Sequence, residues 1–297
     1  MNLLDHLAHR QLIVVTGKGG VGKTTLAAAL GFLLARAGKQ VLLLEADPRE
    51  SLHRVLGTEP SDGALVDAGD GLRVQNLQPR MIIEDLVAER VHIGFVARRI
   101  TRSQAFRHFV AGAPGFKEAA LLGYAHRAVK GDYKVRADLV ILDAPATGHG
   151  ISLLAAPELL AGAIRDGELG EMAAELAAFL ADPERCGILL AALAEEMAVQ
   201  ETLELVDLLR TRLRRTPDLV LANGIYPALP GSAPGESSEP MNLWRQRREV
   251  NERELERLRE GWQGPLIELP LLPMETGPAL LQALAWRLGP ALKGIVA

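Results

Sequence analysis

Short, almost wholly apolar runs recur along the chain and alternate with longer stretches of helical character. Six of these runs are rich in leucine and valine: LIVVT from Leu12, VLLLEAD from Val41, LVILDAP from Leu139, GILLAAL from Gly187, LVLANG from Leu219 and PLIELP from Pro265. Strands that are covered on both faces of a parallel sheet show this pattern, because neither face meets water. The pattern therefore predicts six buried strands.

Helical stretches lie between these runs. TTLAAALGFLLARAG is closed by Gly38, and EEMAVQETLELVDLLRTRLRR ends before Pro217. Glycine after a helix and proline beyond it are common end signals. Strands that alternate with helices of this length imply right-handed βαβ units. The predicted fold class is therefore α/β, a doubly wound and mainly parallel sheet, with residues 1–297 in a single domain.

Two stretches depart from this alternation. Residues from about 81 to 130 have no strand signal and are predicted to be a helical insertion, broken near Gly112 and Gly115. Residues from about 226 to 240, YPALPGSAPGESSEP, are rich in Pro, Gly and Ser and predict a mobile surface loop. The charged stretch RQRREVNERELERLRE follows that loop, and we expect it to form a helix whose charges mostly face solvent.

Composition narrows the class of protein. The chain has 297 residues, 48% of them hydrophobic and 24% charged, as in ordinary globular proteins. Its net charge of −4 and its 4% of aromatic residues argue against a nucleic-acid partner, because such surfaces are usually basic or carry stacking aromatics. The charged start MNLLDHLAHR is unlike a secretory signal, and no apolar run reaches the roughly 18–20 residues that span a bilayer. We therefore expect a cytoplasmic protein.

The sharpest chemical signal is GKGGVGKTT, which lies between a predicted strand and a predicted helix. It fits the phosphate-loop pattern, in which glycines let successive backbone N–H groups point at phosphate oxygens beside a helix N-terminus. Lys23 would reach the β- and γ-phosphates, and the Thr24 hydroxyl would ligate Mg²⁺. The candidate nucleotide-binding residues of this segment are Gly17, Gly19, Gly20, Val21, Gly22, Lys23, Thr24 and Thr25. The sequence therefore predicts a site for a nucleoside triphosphate and Mg²⁺.

Two aspartates end predicted strands and are candidates for the same site. Asp47 is the last residue of the second run, and Asp143 follows the apolar residues LVIL of the third. Carboxylates at the carboxyl ends of parallel strands lie where ligands bind in open α/β sheets. Asp143 is expected to hold Mg²⁺ through water. For Asp47 two roles stay open, holding a water on Mg²⁺ or orienting the water that attacks the phosphate.

Lys18 and the segment DAPATGHG from Asp143 resemble one family of phosphate-loop proteins. A second lysine at the position of Lys18 marks a variant loop, and the Thr147-Gly148-His149 segment is similar to the switch of the arsenical-pump and tail-anchored-protein targeting ATPases. Pro145 lies one place earlier than the proline of that family. His149 is a marker of the resemblance and is not assigned a catalytic role.

The resemblance implies an ATPase that works as a dimer, formed with a second copy or with a paralogue. Lys18 would cross the dimer interface and supply positive charge to the partner's nucleotide, where charge develops during phosphoryl transfer. Glu195 would contact the nucleotide, and the Asn223 amide would pair with the adenine edge. The loop that would cover the base comprises Pro270, Leu271, Leu272 and Pro273.

The sequence also departs from that family. It has a single cysteine, Cys186, so it lacks the Cys-x-x-Cys pair that joins the eukaryotic targeting dimer through zinc and the cysteine set that binds arsenite. We expect Cys186 to be a core residue of its strand. The insertion has one methionine, Met81, although it resembles the place where the targeting ATPase holds its client. A client surface and helices that only pack on the sheet or a partner both stay open.

Three functions are compatible with these observations. The first is an ATP-driven dimer switch that handles a hydrophobic protein client or a membrane-protein partner. The second is the catalytic subunit of an anion efflux pump of the arsenite type. The third is a partition or positioning ATPase, which would need DNA or membrane recruitment, and the sequence shows neither a basic tail nor an amphipathic anchor.

Overall fold

The computed structural model describes residues 1–47, 49–90, 103–104, 108, 112, 115–131, 136–145, 150–164, 166–228 and 238–296. Within these residues the strands are β1 (Leu12–Gly17), β2 (Val41–Glu45), β3 (Val66–Asp67), β4 (Leu72–Asn76), β5 (Leu139–Asp143), β6 (Cys186–Leu193), β7 (Leu219–Ile225) and β8 (Leu266–Pro270). The helices of the same residues are α1 (Leu3–Ala8), α2 (Lys23–Arg36), α3 (Leu52–Leu56), α4 (Pro79–Arg90), α5 (Phe116–Lys130), α6 (Gly150–Ala163), α7 (Glu168–Ala181), α8 (Glu196–Arg212), α9 (Glu239–Gly261) and α10 (Pro278–Gly294).

The strands form one sheet in the order β3-β4-β2-β5-β1-β6-β7-β8. Every neighbouring pair is parallel except β3 and β4, which are antiparallel. All six predicted strands are present, and the α/β fold class with a mainly parallel sheet is confirmed. Because β1 lies in the middle of the sheet, the phosphate loop that follows it emerges at the centre of the carboxyl edge.

The sequence analysis missed β3 and β4. In β4 the polar side chains of Gln75 and Asn76 are buried, so the strand lacks the continuous apolar run that marks the other strands. Hydrogen bonds compensate for this burial: Gln75 donates to the Gly63 carbonyl at 2.8 Å and accepts from the Tyr124 hydroxyl at 2.8 Å. A search for continuous apolar runs does not detect a buried strand whose polar side chains are hydrogen-bonded to each other or to the backbone.

Alternate residues of the central strands pack into two separate hydrophobic clusters, as the twofold periodicity of a strand requires. In β1, Leu12 and Val14 pack on one side with α4–α9, whereas Ile13 and Val15 pack on the other with α1, α2, α3 and α10. Helices therefore cover both faces of the sheet, which leaves the strand ends as the places where polar groups gather.

Helices α4 and α5 occupy the two ends of the predicted insertion, and much of the stretch between them lies outside the described residues. Helix α5 buries Leu121, Leu122 and Ala125 in the same cluster as β1 and β5. This part of the stretch therefore packs on the sheet. Of the predicted surface loop, residues 229–237 lie outside the described residues.

The predicted charged helix is present as α9, and most of its charged side chains are exposed or half-buried, as expected. One side is buried, however, and includes Asn251 and Glu254. The Asn251 amide donates to the Ala194 carbonyl at 2.8 Å and accepts from the Tyr226 N–H at 2.8 Å. Along the part of the chain that the structure describes, we find no helix with the length and apolar character needed to cross a bilayer.

Candidate functional site

The phosphate loop is shaped by close backbone approaches that only glycine permits at two positions. Gly17 has a φ of +141°, and a Cβ there would lie 2.2 Å from the Ala191 carbonyl oxygen of β6. Gly22 has a φ of +90°, and a Cβ there would lie 2.5 Å from the Asn223 amide nitrogen. A side chain at position 17 would therefore force the loop away from β6, and one at position 22 would be strained by its φ and would displace the Asn223 amide.

Helix α2 begins directly after this loop with an uncapped N-terminus. Gly22 is its N-cap residue and makes no side-chain capping hydrogen bond. The first N–H groups of a helix have no partner inside the helix, and the helix dipole adds partial positive charge there. The arrangement therefore presents N–H donors and positive potential to the space above the loop, as an anion site requires.

Lys23 lies in the first turn of α2 and is only 6% exposed. Its ammonium group donates to the Lys18 carbonyl at 2.8 Å, across the loop. Burial lowers the pKa of Lys23, and the nearby carboxylates of Asp143 and Asp47 partly oppose that shift. A poorly solvated cation among loop N–H groups is placed to bind phosphate oxygens.

Thr24 and Asp143 meet on the other side of the loop. The Thr24 hydroxyl donates to one carboxylate oxygen of Asp143 at 2.6 Å, and the other oxygen, Oδ1, is buried without a hydrogen-bond partner. Burial raises the pKa of Asp143 to about 7, although the hydrogen bond from Thr24 opposes the shift; the charges of Glu45 and Asp47 raise it further. A buried carboxylate oxygen that lacks a donor marks a place where a cation would be stabilised.

The residues at this edge fit a magnesium ion. Mg²⁺ prefers hard oxygen ligands, and the Thr24 hydroxyl with the carboxylates of Asp143 and Asp47 supplies that type of donor. Asp47 lies close enough for its charge to act on both Lys23 and Asp143. The unpartnered Oδ1 of Asp143 is the structural observation that supports the assignment.

Asp47 is positioned by two residues to which the sequence analysis assigned no role. Asn76 of β4 donates to the Asp47 carbonyl at 2.7 Å. Glu45 is fully buried and accepts from both the backbone N–H and the hydroxyl of Ser51, at 2.8 and 2.6 Å. The turn after β2 is therefore held by β4 and by the start of α3. Glu45 is the single charged residue in an otherwise apolar strand, and this feature of the sequence could have indicated its role.

Lys18 is held within its own chain. Its ammonium group forms an ion pair with Glu201 of α8 at 2.8 Å, and both side chains are partly exposed, at 37% and 39%. The pair joins the phosphate loop to the helix that follows β6. A lysine in this position is accessible at the surface, and it is also tethered.

The residues predicted to surround the base lie at the ends of adjacent strands. Asn223 lies near the carboxyl end of β7 and donates from its amide to the Val21 carbonyl of the loop at 2.9 Å. Pro270 ends β8 and residues 271–273 follow it, and Leu271 donates its N–H to the Ile225 carbonyl of β7 at 2.7 Å. Glu195 is an exposed residue between β6 and α8. The structure thus brings Asn223 into direct contact with the phosphate loop and places the other residues along the same edge.

Two further predictions concern residues away from these contacts. Thr147, Gly148 and His149 lie outside the described residues. Cys186 is fully buried at the start of β6, and burial raises the pKa of its thiol to about 12, which confirms the prediction of a core residue. Among the described residues there is no cluster of His, Cys, Asp and Glu arranged to hold a metal by itself.

A mainly parallel sheet with a phosphate loop after its central strand defines a phosphate-loop nucleoside triphosphatase fold. Residues 10–167, more than half of the chain, match the family described as anion-transporting ATPases. The chain belongs to this family, which confirms the family predicted from the sequence.

Individual relatives support the same assignment. The chain is 30% identical to the ATPase BagA of Mycobacterium tuberculosis over 214 residues, which cover 68% of this chain and 62% of the relative. It is 30% identical to the ATPase GET3 of Ajellomyces dermatitidis over 186 residues, or 60% of this chain and 51% of the relative. The ATPase ASNA1 homolog 2 of Paramecium tetraurelia is 30% identical over 152 residues, or 50% and 44%. The matches thus span less than two thirds of each relative's length.

Proposed function

We propose that this protein hydrolyses ATP with Mg²⁺ and uses the nucleotide to close a dimer. The observation that carries the proposal is the contact of Thr24 with Asp143 beside an uncapped helix N-terminus, with one buried oxygen of Asp143 left without a donor. This arrangement offers positive potential for phosphates and oxygen ligands for a cation within one site. The family to which the chain belongs supports it.

The roles of individual residues follow from their positions. Lys23 and the loop N–H groups bind phosphate oxygens, and the Asn223 amide pairs with the adenine edge. Thr24 and Asp143 hold Mg²⁺, which neutralises charge on the phosphates when it is bound. Asp47 orients the attacking water, since its turn is fixed by Asn76. Lys18 acts on the nucleotide of the partner subunit, once it has left Glu201.

Mixed dimers test whether Lys18 acts across the interface. We expect Lys23→Ala to abolish ATP binding and Lys18→Ala to keep binding while losing most hydrolysis. If Lys18 works in the partner, a mixed dimer of the two inactive variants has one complete site. Random pairing of equal amounts then restores about a quarter of the wild-type rate of phosphate release.

Lys39→Ala is the control, because it changes a lysine that lies after the end of α2, outside the loop, and it should leave the rate unchanged. If the mixture of the two variants hydrolyses no ATP although Lys18→Ala still binds it, the action of Lys18 across a homodimer interface is contradicted. Full activity of Lys18→Ala alone would contradict any catalytic role for that lysine.

For the client, we propose a hydrophobic segment of a membrane protein, handled in the cytoplasm. Support comes from the similarity to the GET3 and ASNA1 ATPases and from the helical stretch between β4 and β5. The buried position and raised pKa of the Cys186 thiol speak against an arsenite-binding role, since soft metalloids bind thiolates. Hydrolysis that arsenite stimulates would favour the efflux-pump alternative instead.

A trapped state tests the client. Asp47→Asn is expected to bind ATP without hydrolysing it, so a complex formed in the ATP state should persist through purification. Membrane proteins with exposed apolar helices should then co-purify in the presence of ATP. Lys23→Ala, which should not reach the ATP state, is the control and should recover none. Recovery of only a soluble paralogue would contradict the client assignment.

A further inference from the structure

A cavity of about 630 Å³ lies away from the phosphate loop, between the C-terminal parts of α7 and α8. Ile188, near the start of β6, contributes to its wall, whereas the loop packs on the other end of that strand. Ligand pockets for small molecules commonly have volumes of about 300–1,000 Å³. The cavity is therefore large enough for a small organic ligand.

The lining of this cavity is divided between apolar and basic residues. Its apolar part includes the buried side chains of Leu154, Leu180 and Ile188. Its basic part comprises Arg212, Arg214 and Arg215, and Glu158 is the single acidic residue among the described lining residues. Positive charge is thus concentrated beside an apolar surface.

Arg215 is the unusual member of this set, because it is only 5% exposed. Its guanidinium donates to the carbonyls of Leu180 and Cys186, and no carboxylate of the described residues lies within ion-pair distance of it. The C-terminal end of α7 offsets part of the charge, since Leu180 lies in its last turn. A buried cation without an anionic partner is otherwise destabilising.

Two acidic side chains on the segments that precede β6 and β7 are already engaged by another arginine. Asp218 accepts from Arg10 at 2.8 Å, and Glu184 lies 3.5 Å from the same arginine. Arg212 and Arg214 are exposed and likewise form no ion pair with any described residue. Three arginines therefore line one cavity, and none of them forms an ion pair with Glu158 or with another described carboxylate.

We propose that this cavity binds a small organic anion that carries an apolar body. A carboxylate or phosphate head would accept hydrogen bonds from the arginines, which match the planar geometry of such groups. The apolar body would lie against Leu154, Leu180 and Ile188, where it is removed from water. This site is separate from the nucleotide site and does not depend on the proposed ATPase cycle.

Calorimetric titration with four probes tests the proposal. The probes are decyl phosphate, decanoate, inorganic phosphate and decanol, each kept below its micelle concentration, with saturating Mg·ADP present to fill the phosphate loop. We expect one of the two amphiphiles to bind at least tenfold more tightly than either inorganic phosphate or decanol. Comparing decanoate with decyl phosphate identifies the preferred head group. Equal binding of inorganic phosphate would overturn the apolar part of the proposal.

Variants locate the binding. The double variant Arg212→Ser, Arg214→Gly removes two exposed charges, and glycine suits the φ of +51° at position 214, so the fold should be retained. Affinity should fall at least tenfold. Ala178→Phe, which fills the cavity without a change of charge, should weaken binding similarly, and Arg287→Ser on α10 should have no effect. No amphiphile binding, or binding that survives both cavity variants, would overturn the proposal.

Discussion

Both ends of the sheet hold buried charged side chains, but the two ends pair them differently. At the amino end, Arg10 is 3% exposed and donates to Asp218 at 2.8 Å, and Asp218 also accepts from the Ile188 N–H at 2.8 Å. At the carboxyl end, Asp143 is 2% exposed and one of its oxygens has no donor. The carboxylate of Asp47 adds repulsion there, while Lys23 donates to a carbonyl instead.

The difference shows how one fold separates stability from function. A buried charge that meets its counter-charge holds elements together, as Arg10 does between the start of β1 and the start of β7. A buried carboxylate without a cation raises the free energy of the unliganded protein, and the binding of a cation removes that cost. Functional sites commonly hold charged groups that lower the stability of the unliganded protein, whereas the structure around them does not.

Removing the buried ion pair of Arg10 and Asp218 at the amino end of the sheet should have the largest effect on stability. Asp218→Asn leaves the buried guanidinium of Arg10 with a neutral partner, and the free energy of unfolding should fall by about 3 kcal/mol. Urea denaturation measures this loss. Glu184→Gln is the matched control, since Glu184 faces the same arginine at 3.5 Å but is 81% exposed; its effect should stay within about 0.5 kcal/mol. Equal effects of the two changes would contradict the assigned role of burial.

Removing the carboxylate of Asp143 at the carboxyl end of the sheet should instead stabilise the folded protein. In the unfolded chain Asp143 loses its proton near pH 4, but in the folded protein its pKa is about 7, so ionisation disfavours the folded state and stability falls between these values. Asparagine does not ionise. Asp143→Asn should therefore be neutral near pH 4 and stabilising by about 2–4 kcal/mol at pH 8, without nucleotide or metal.

Denaturation of the nucleotide-free protein across this pH range, in the presence of a chelator, measures the effect of Asp143→Asn. Asp85→Asn on α4 provides an exposed control and should give no pH-dependent difference. A variant that is less stable than the wild type at pH 8 would show that Asp143 is compensated by a partner in the folded protein.

Most of the fold was predictable, because most strands that are covered on both faces appear in the sequence as continuous apolar runs. The strand β4 was not, since the burial of Gln75 depends on Tyr124, a residue 49 positions away along the chain. Local pattern carries no information about such a partner. Helix α9 shows the same limit, because its buried Asn251 is explained only by the carbonyl of Ala194.

The candidate site divides in the same way. The glycine positions and the Lys23-Thr24 pair follow from a contiguous motif. The strand predicted before this motif and the helix predicted after it are both present in the structure. The contacts of Asn76 with the Asp47 turn and of Glu201 with Lys18 join segments that are 29 and 183 residues apart. Only the sheet order and the position of α8 bring these residues together.

The Lys18–Glu201 pair should have the smallest effect on stability, and it sharpens the comparison because it is exposed and lies at the functional end. Glu201→Gln should change the free energy of unfolding by no more than about 0.5 kcal/mol, as exposed pairs usually do. If Lys18 must leave Glu201 to act on the partner's nucleotide, however, the same change should raise the rate of phosphate release by about twofold to fivefold. Glu204→Gln, one turn further along α8, removes a carboxylate that bonds Gln200 instead and should leave the rate unchanged. A lower rate in Glu201→Gln would mean that the ion pair holds Lys18 in its working position, so that the tether aids the reaction rather than competing with it.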